Sequence, residues 1–222
     1  MVDFNVRNLW TFELFGQEIW ITQTILNTWL IMLVLIGVAI FLRIKLRNMT
    51  EEPKGLQNVV ELLVESSDSF VASMAGEKAK FAGAWFFAAI TFILVSNLSG
   101  ALGLRAPTAD WATTMAMAIG MVVVIQIAGL RAKGLRYLLT FLNPLNIIGE
   151  LARPVSLSLR LFGNMISGLI IMTLLYNMAP IPVRIGFPVF LHGYFDVFMA
   201  VLQTYVFCAI SLASVGFVVA EN

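Results

Sequence analysis

The sequence predicts an all-α polytopic membrane protein with about five membrane helices and one interfacial amphipathic helix, the last two membrane helices forming a long tilted hairpin. Of its 222 residues, 59% are hydrophobic and only 12% are charged, and the mean hydropathy is +0.89. The apolar residues are gathered in long runs, each sufficient to cross roughly 30 Å of hydrocarbon. Such a composition excludes a soluble domain. We expect a single membrane domain over residues 1–222.

The first half of the chain predicts three spans and one surface helix. Residues 1–21 mix aromatic and charged side chains without a continuous apolar run, which favours an outer lead-in at the membrane interface. The first span is predicted over 22–42, and the middle spans over 81–104 and 111–130. Residues 55–76 carry acidic side chains at helical spacing opposite apolar ones, which predicts a cytoplasmic-side amphipathic helix.

The second half predicts a helical hairpin over 145–219. Its two apolar arms are each about 33 residues long, and helices of that length would measure about 50 Å, well over the hydrocarbon thickness. The helices must therefore tilt strongly or lie partly in the membrane plane. Pro154 lies within the first arm and can bend it, because it removes one backbone donor.

Basic residues flank the spans asymmetrically. Nine fall on one side and three on the other, so the positive-inside rule places the N-terminus outside and the C-terminus in the cytoplasm. The nine are Arg43, Lys45, Arg47, Lys54, Lys78, Lys80, Arg131, Lys133 and Arg136, and the three are Arg7, Arg105 and Arg184.

The first arm places a permanent positive charge, Arg160, inside an apolar run. An arginine at mid-bilayer costs roughly 2.5–3.5 kcal/mol on insertion scales, and its guanidinium cannot escape that cost by deprotonation. A polar stripe with a spacing of three or four residues surrounds it on one helix face. That stripe consists of Arg153, Ser156, Arg160, Asn164 and Ser167.

The second arm carries a matching polar face. His192, Asp196, Gln203 and Ser214 follow one another at offsets of four, seven and eleven residues, which places them on one side of a helix. If the hairpin turns near residues 180–184, Arg160 is expected to face Gln203. Two such stripes either meet each other or line water, because unsatisfied polar groups in hydrocarbon cost several kcal/mol.

The block Arg-Pro-Val-Ser-Leu-Ser-Leu-Arg-Leu-Phe-Gly-Asn-Met at 153–165 resembles the signature of the a subunit of rotary F-type ATP synthases. Weaker similarity extends to Asn-Leu-Ser-Gly at 97–100, Pro-Thr-Ala-Asp-Trp-Ala-Thr-Thr at 107–114 and Leu-Gln-Thr-Tyr-Val-Phe at 202–207. The resemblance covers the chain from about the first span to the C-terminus. It implies a stator subunit with two offset aqueous half-channels that pass H⁺ or Na⁺ to and from a rotating ring of c subunits.

The resemblance also implies roles for individual residues. Arg160 matches the family's essential arginine, which separates the half-channels and drives ion release from the ring carboxylate, while Asn164 and Gln203 match its conserved amides. Two positions depart from the family. Leu169 stands where many relatives have an ionisable residue, and Asp196 stands where relatives often have histidine or glutamate. One half of the usual proton-relay pair is therefore missing, and we expect Asp196 with His192 to serve the outer half-channel.

Several interpretations stay open at the level of sequence. His192 is either part of the outer path or a structural hydrogen-bonding group near the interface. Glu150, Arg153 and Ser156 either line the inner half-channel or, for the first two, form an i,i+3 pair that neutralises itself. The acidic face of 55–76 is either solvated or a contact with the b subunits of the peripheral stalk.

The expected partners are the c ring, the peripheral-stalk b subunits, the remaining synthase subunits and the lipid bilayer, with no nucleic acid. No phosphate-binding loop and no metal-ligand cluster occurs in the sequence, so we expect no cofactor and no covalent catalysis. The expected location is an energy-transducing membrane, preferably a bacterial plasma membrane. A self-contained secondary transporter and a purely structural anchor are the alternative classes. The first would need inverted repeats, and the second predicts that Arg160 tolerates replacement.

Overall fold

The computed structural model describes residues 8–14, 17–47, 55–102, 104–178 and 180–220. Five helical segments are long and apolar enough to cross a membrane. Their number agrees with the sequence, so the predicted class of an all-α polytopic protein is confirmed. The spans are Gln23–Lys45, Ala79–Leu98, Trp111–Lys133, Pro144–Met178 and Gly186–Ala220.

The lead-in contains a β-hairpin that the sequence analysis did not predict. Strands β1 (Asn8–Leu14) and β2 (Gln17–Thr22) pair antiparallel, and β2 leads directly into helix α1 (Gln23–Lys45). Thr22 caps α1 by accepting a hydrogen bond from the backbone N–H of Ile25. The start of the predicted lead-in, and Arg7 and Lys54 of the charge asymmetry, lie outside the described residues.

The predicted amphipathic segment forms helix α2 (Leu56–Ala75). It ends at Gly76, whose φ of +80° lies in the left-handed region that glycine tolerates. Val71 and Ala75 of α2 are buried, whereas Val59 and Leu63 are 55% and 54% exposed. The C-terminal end of α2 therefore packs on the protein, and its N-terminal half presents apolar side chains to the surroundings.

Two middle helices form the centre of the fold. After a 3₁₀ segment, Glu77–Ala82, helix α3 spans Gly83–Leu98, and helix α4 spans Trp111–Lys133. The loop between them is tied to α3 by a buried hydrogen bond of 2.6 Å from Thr108 Oγ1 to Asn97 Oδ1. The core contains side chains from α2, α3, α4, α5 and the last helix. Its largest fully buried apolar members include Phe86, Ile93, Met121, Ile125, Leu161, Phe207 and Leu212.

The C-terminal hairpin has one continuous arm and one segmented arm. Helix α5 (Pro144–Met178) runs through Pro154 without interruption, and its 35 residues correspond to about 52 Å. The returning arm is divided into helix α6 (Ile181–His192), a π-helical turn (Gly193–Phe198) and helix α7 (Met199–Ala220). The π-helical turn adds a local widening to the arm, and such turns occur frequently at functional sites.

Helix α7 approaches the end of α2 at Gly216. A Cβ atom at this position would lie 2.9 Å from the Met74 carbonyl oxygen and 3.0 Å from Ala75 Cα. Both contacts are with backbone, which cannot move aside as a side-chain tip can. The absence of a side chain at Gly216 therefore sets the distance between the two helices.

We expect Gly216→Ala to destabilise the subunit by about 1–3 kcal/mol, because the added methyl group forces α7 away from the α2 backbone. The measurement is the amount of subunit retained in isolated membranes. Gly37→Ala is the matched control, since a Cβ at that exposed position in α1 meets nothing within 4 Å. Equal amounts of the two variants would contradict the assigned close approach.

Candidate functional site

Arg160 lies in the middle of α5 and is only partly exposed. Its nitrogen Nη1 is buried and has no hydrogen-bond partner among the described residues. The adjacent Leu161 and the preceding Leu157 are buried in the core, which holds the helix face beside the arginine in a fixed orientation. A guanidinium nitrogen left without a partner is costly, so the described residues do not by themselves complete the site.

Asn164 and Gln203 join the two arms of the hairpin one turn further along α5. Asn164 Nδ2 donates a short hydrogen bond to Gln203 Oε1. Gln203 is 2% exposed, and its own Nε2 is buried without a partner among the described residues. The amide pair therefore fixes the spacing of the arms and leaves one more donor available beside the arginine turn.

The expected facing of Arg160 and Gln203 stays a prediction. Gln203 accepts a hydrogen bond from Asn164, one turn along α5 from Arg160. The two contacts across the hairpin, Asn164 with Gln203 and Tyr176 with His192, are centred at about residue 184, within the predicted turn at 180–184. This hydrogen bond between Asn164 and Gln203 directly joins the two predicted polar stripes.

His192 lies between two hydrogen-bonding partners. Its Nδ1 is 2.6 Å from Asp196 Oδ2 on the same arm, and its Nε2 is 3.2 Å from the Tyr176 hydroxyl on α5. The His192 side chain is 46% exposed and that of Asp196 is 18% exposed. Asp196 itself belongs to the π-helical turn. Three titratable groups therefore form one continuous hydrogen-bonded line from an exposed to a nearly buried position.

Asp196 also lies near the end of α3. A Cβ atom at Gly100 would lie 3.2 Å from the Asn97 carbonyl oxygen and 4.0 Å from Asp196 Oδ1, so the glycine lets the chain after α3 approach the carboxylate closely. Asn97, one turn earlier, is fully buried, and its Nδ2 has no partner in the described part of the chain. The outer part of the site is thus surrounded by polar groups of α3 as well as those of the hairpin.

Glu150 and Arg153 lie at the opposite end of α5 and form an ion pair with a distance of 2.5 Å between Arg153 Nη1 and Glu150 Oε1. The second oxygen of Glu150 accepts a hydrogen bond of 2.8 Å from Gln126 Nε2 of α4. Burial raises the pKa of the Tyr137 hydroxyl in the preceding connection, and the negative charge of Glu150 raises it further. The Glu150 carboxylate is therefore bonded through both of its oxygens, and the predicted i,i+3 pair with Arg153 is present.

The serines of the predicted stripe differ in their surroundings. Ser156 is exposed, and Ser167 Oγ donates to the backbone oxygen of Asn164 at 2.9 Å. Ser158 is fully buried, and its hydroxyl lies 3.1 Å from that of Thr114 on α4. The two predicted serines thus border the site, whereas Ser158 joins α5 to the core.

Tyr176, Gln126 and Ser158 are the residues that sequence reasoning missed. Gln126 carried a usable signal, because it is a single amide within the apolar run 121–130. Tyr176 carried none, since its contact depends on the register of the hairpin and it lies off the arginine stripe. Among the described residues, no three His, Cys, Asp or Glu side chains are grouped so that they could hold a metal ion.

The fold and the site define a polytopic membrane protein with ionisable groups on its inner helices, which is the class of proteins that move ions across membranes. A model of the ATP synthase A chain family matches residues 25–214. The chain therefore belongs to the ATP synthase A chain family, and its function is that of a stator ion channel in the membrane sector of an F-type ATP synthase.

Individual relatives support this assignment over nearly the whole chain. ATP synthase subunit a of Moorella thermoacetica is 36% identical over 204 residues, which cover 88% of this chain and 90% of that protein. The chloroplastic ATP synthase subunit a of Stigeoclonium helveticum is 33% identical, with 96% and 91% covered. The sodium ion specific subunit a of Propionigenium modestum is 32% identical, with 86% and 72% covered.

The hydrogen bond between Asn164 and Gln203 predicts coupled effects of substitution. We expect Asn164→Ala and Gln203→Ala each to slow ATP-driven ion pumping, and the double variant to be no slower than the worse single variant, because either change removes the same bond. Pumping is measured in inverted vesicles and divided by the amount of assembled complex. Multiplied losses in the double variant would show that the two amides act separately.

Proposed function

We propose that this chain provides two aqueous half-channels that open to opposite membrane faces, with Arg160 between them as the group that prevents direct ion leakage. The observation that carries the proposal is the buried, unpartnered Nη1 of Arg160. Because the described residues offer this nitrogen no partner and the arginine side chain is partly exposed, the charge is expected to find its partner on another subunit. The partner of matching chemistry is an ionisable carboxylate carried past Arg160 by a ring of c subunits.

The physics of the pairing accounts for ion release. An opposite charge in a low-dielectric site favours the ionised form of a carboxylate, so the ring carboxylate loses its ion as it passes Arg160. Arginine is suited to this role because it stays charged under all working conditions. An ion that enters by one path must therefore travel with the ring before it leaves by the other. Each elementary charge delivers roughly 2.3 kcal/mol per 100 mV of membrane potential.

The proposed inner path contains Glu150, Arg153 and Ser156, on the turns of α5 that precede Arg160. Two oxygens of Glu150 are already bonded, to Arg153 and Gln126, so we expect the pair to define the polar entrance rather than to bind the ion tightly. Ser156 is exposed and lies one turn from Arg160. The inner path would therefore end close to the arginine.

The proposed outer path contains His192 and Asp196, with Ser167, Asn164 and Gln203 between them and Arg160. Leu169 cannot titrate, so the carboxylate on the returning arm is the group available to accept an ion on this side. The hydrogen bond with His192 holds Asp196 in place, and Gly100 lies close to its second oxygen. The ion conducted is H⁺ or Na⁺.

The partners and orientation follow as part of the same proposal. The exposed face of α5 beside Arg160 would contact the c ring, and the apolar and acidic surface of α2 would contact the b subunits of the peripheral stalk. The membrane is an energy-transducing one, and of these we propose a bacterial plasma membrane. The N-terminus is outside and the C-terminus is cytoplasmic. Nucleotide chemistry belongs to other subunits of the complex.

We expect Arg160→Ala to abolish ATP-driven ion pumping while the complex still assembles, because the variant loses the charge but keeps the helix. Pumping is measured in inverted vesicles, and assembly is checked by detergent purification of the whole complex. Arg160→Lys separates charge from geometry, since an ammonium lacks the planar fork of a guanidinium. We expect Arg160→Lys to retain less than a tenth of the parent's pumping rate. A tenfold loss of rate corresponds to about 1.4 kcal/mol of lost stabilisation.

Arg136→Ala is the matched control, because it removes an exposed positive charge from the connection between α4 and α5. We expect it to pump normally. Normal pumping by Arg160→Ala would favour the structural anchor instead. Loss of assembly in Arg160→Ala together with normal assembly and pumping in Arg160→Lys would assign the arginine a folding role.

A further inference from the structure

We propose that Tyr176 is a positioning residue for proton transfer on the outer path, where its hydroxyl group orients His192 toward Asp196. The inference rests on the proposed function of the outer path and adds a residue from the opposite arm of the hairpin. It is carried by two hydrogen-bond distances, 3.2 Å from Tyr176 to His192 Nε2 and 2.6 Å from His192 Nδ1 to Asp196.

The bonding pattern determines the tautomer of His192. An ionised Asp196 accepts hydrogen bonds and cannot donate them, so His192 Nδ1 must carry the proton of the 2.6 Å bond. In a neutral imidazole the other nitrogen is then an acceptor, and the Tyr176 hydroxyl is the donor to it. Tyr176 thereby selects the ring orientation in which the Nδ1 proton faces the carboxylate.

Proton movement along this line conserves every atom. The Tyr176 hydroxyl turns aside while keeping its own proton, and water delivers an incoming proton to His192 Nε2. The imidazolium then transfers its Nδ1 proton to the Asp196 carboxylate and becomes neutral. Asp196 passes that proton inward, and a 180° flip of the imidazole ring then returns a protonated nitrogen to Asp196 and a bare nitrogen to Tyr176. Imidazole suits this task because it accepts on one nitrogen and releases from the other.

The placement of the three groups agrees with an entry path. Tyr176 and His192 are 39% and 46% exposed, whereas the Asp196 side chain is 18% exposed and Gln203 deeper in the hairpin is 2% exposed. The line therefore leads from an accessible position toward the buried amide pair. Asp196 lies within the π-helical turn, which gives the carboxylate its position one turn from the imidazole.

A hydrogen-bonded line of this kind transfers protons and not sodium ions, so the inference identifies H⁺ as the ion used. Na⁺ is bound by oxygen ligands, whereas the middle group of this line offers two ring nitrogens. The relevant assay is therefore ATP synthesis driven by an imposed pH difference across vesicles in sodium-free buffer. A strict requirement for added Na⁺ in that assay would overturn the proposal.

The test compares two replacements of Tyr176 with opposite properties. Tyr176→Phe keeps the ring and removes the donor, whereas Tyr176→Gln removes the ring and supplies an amide donor. Positioning by a hydrogen bond predicts that synthesis per assembled complex falls at least tenfold in Tyr176→Phe and recovers in part in Tyr176→Gln. A packing role predicts the reverse order, and that order would overturn the proposal. Tyr194→Phe is the control, because it removes the hydroxyl of a neighbouring exposed tyrosine. We expect its rate of ATP synthesis per assembled complex to be unchanged.

Asp196→Asn distinguishes this inference from the function on which it rests. We expect Asp196→Asn to abolish synthesis, and the double variant with Tyr176→Phe to show no additional loss. Loss in Asp196→Asn with normal rates in Tyr176→Phe would leave the outer path in place and refute the role of Tyr176. Normal rates in Asp196→Asn would refute the assigned outer path itself.

Discussion

The positive charge of Arg160 is the constraint on which the rest of the structure depends. The charge cannot be removed by deprotonation, and one guanidinium nitrogen is buried without a partner among the described residues. The polar side chains of the hairpin named above can be understood as a response to this buried positive charge. The amides of Asn164 and Gln203 bond across the arms beside it, and the polar residues on either side extend toward the two ends of the hairpin.

The surrounding helices hold this charge in one position. Helix α4 contacts α5 through the Thr114 and Ser158 hydroxyl groups near Arg160 and through Gln126 and Glu150 at the end of α5. Both contacts pair polar groups that would otherwise cost free energy in hydrocarbon, so they resist sliding of α5 along α4. A stator must stay fixed within its complex, and these contacts hold α5 in place.

The sequence predicted the helices well because each depends on a long apolar run, and it predicted Arg160 because a charge within such a run is exceptional. It predicted the contacts between helices less well. The hydrogen bond from Asn164 to Gln203 and the contact of Tyr176 with His192 were not predicted. Both depend on the register of the hairpin, which a π-helical turn alters in a way that apolar periodicity does not reveal. The N-terminal β-hairpin was missed because mixed aromatic and charged residues have no clear period.

Two separate half-channels require that residues on the two sides of Arg160 are reached from opposite membrane faces. Labelling of Ser156→Cys and Ser167→Cys in the assembled complex with a membrane-impermeant thiol reagent tests it, with vesicles of both orientations compared. The parent protein is the background control, because Cys208 is buried. We expect Ser156→Cys to react from the cytoplasmic face and Ser167→Cys from the outer face. Reaction of both from the same face, or of neither, would contradict the claim.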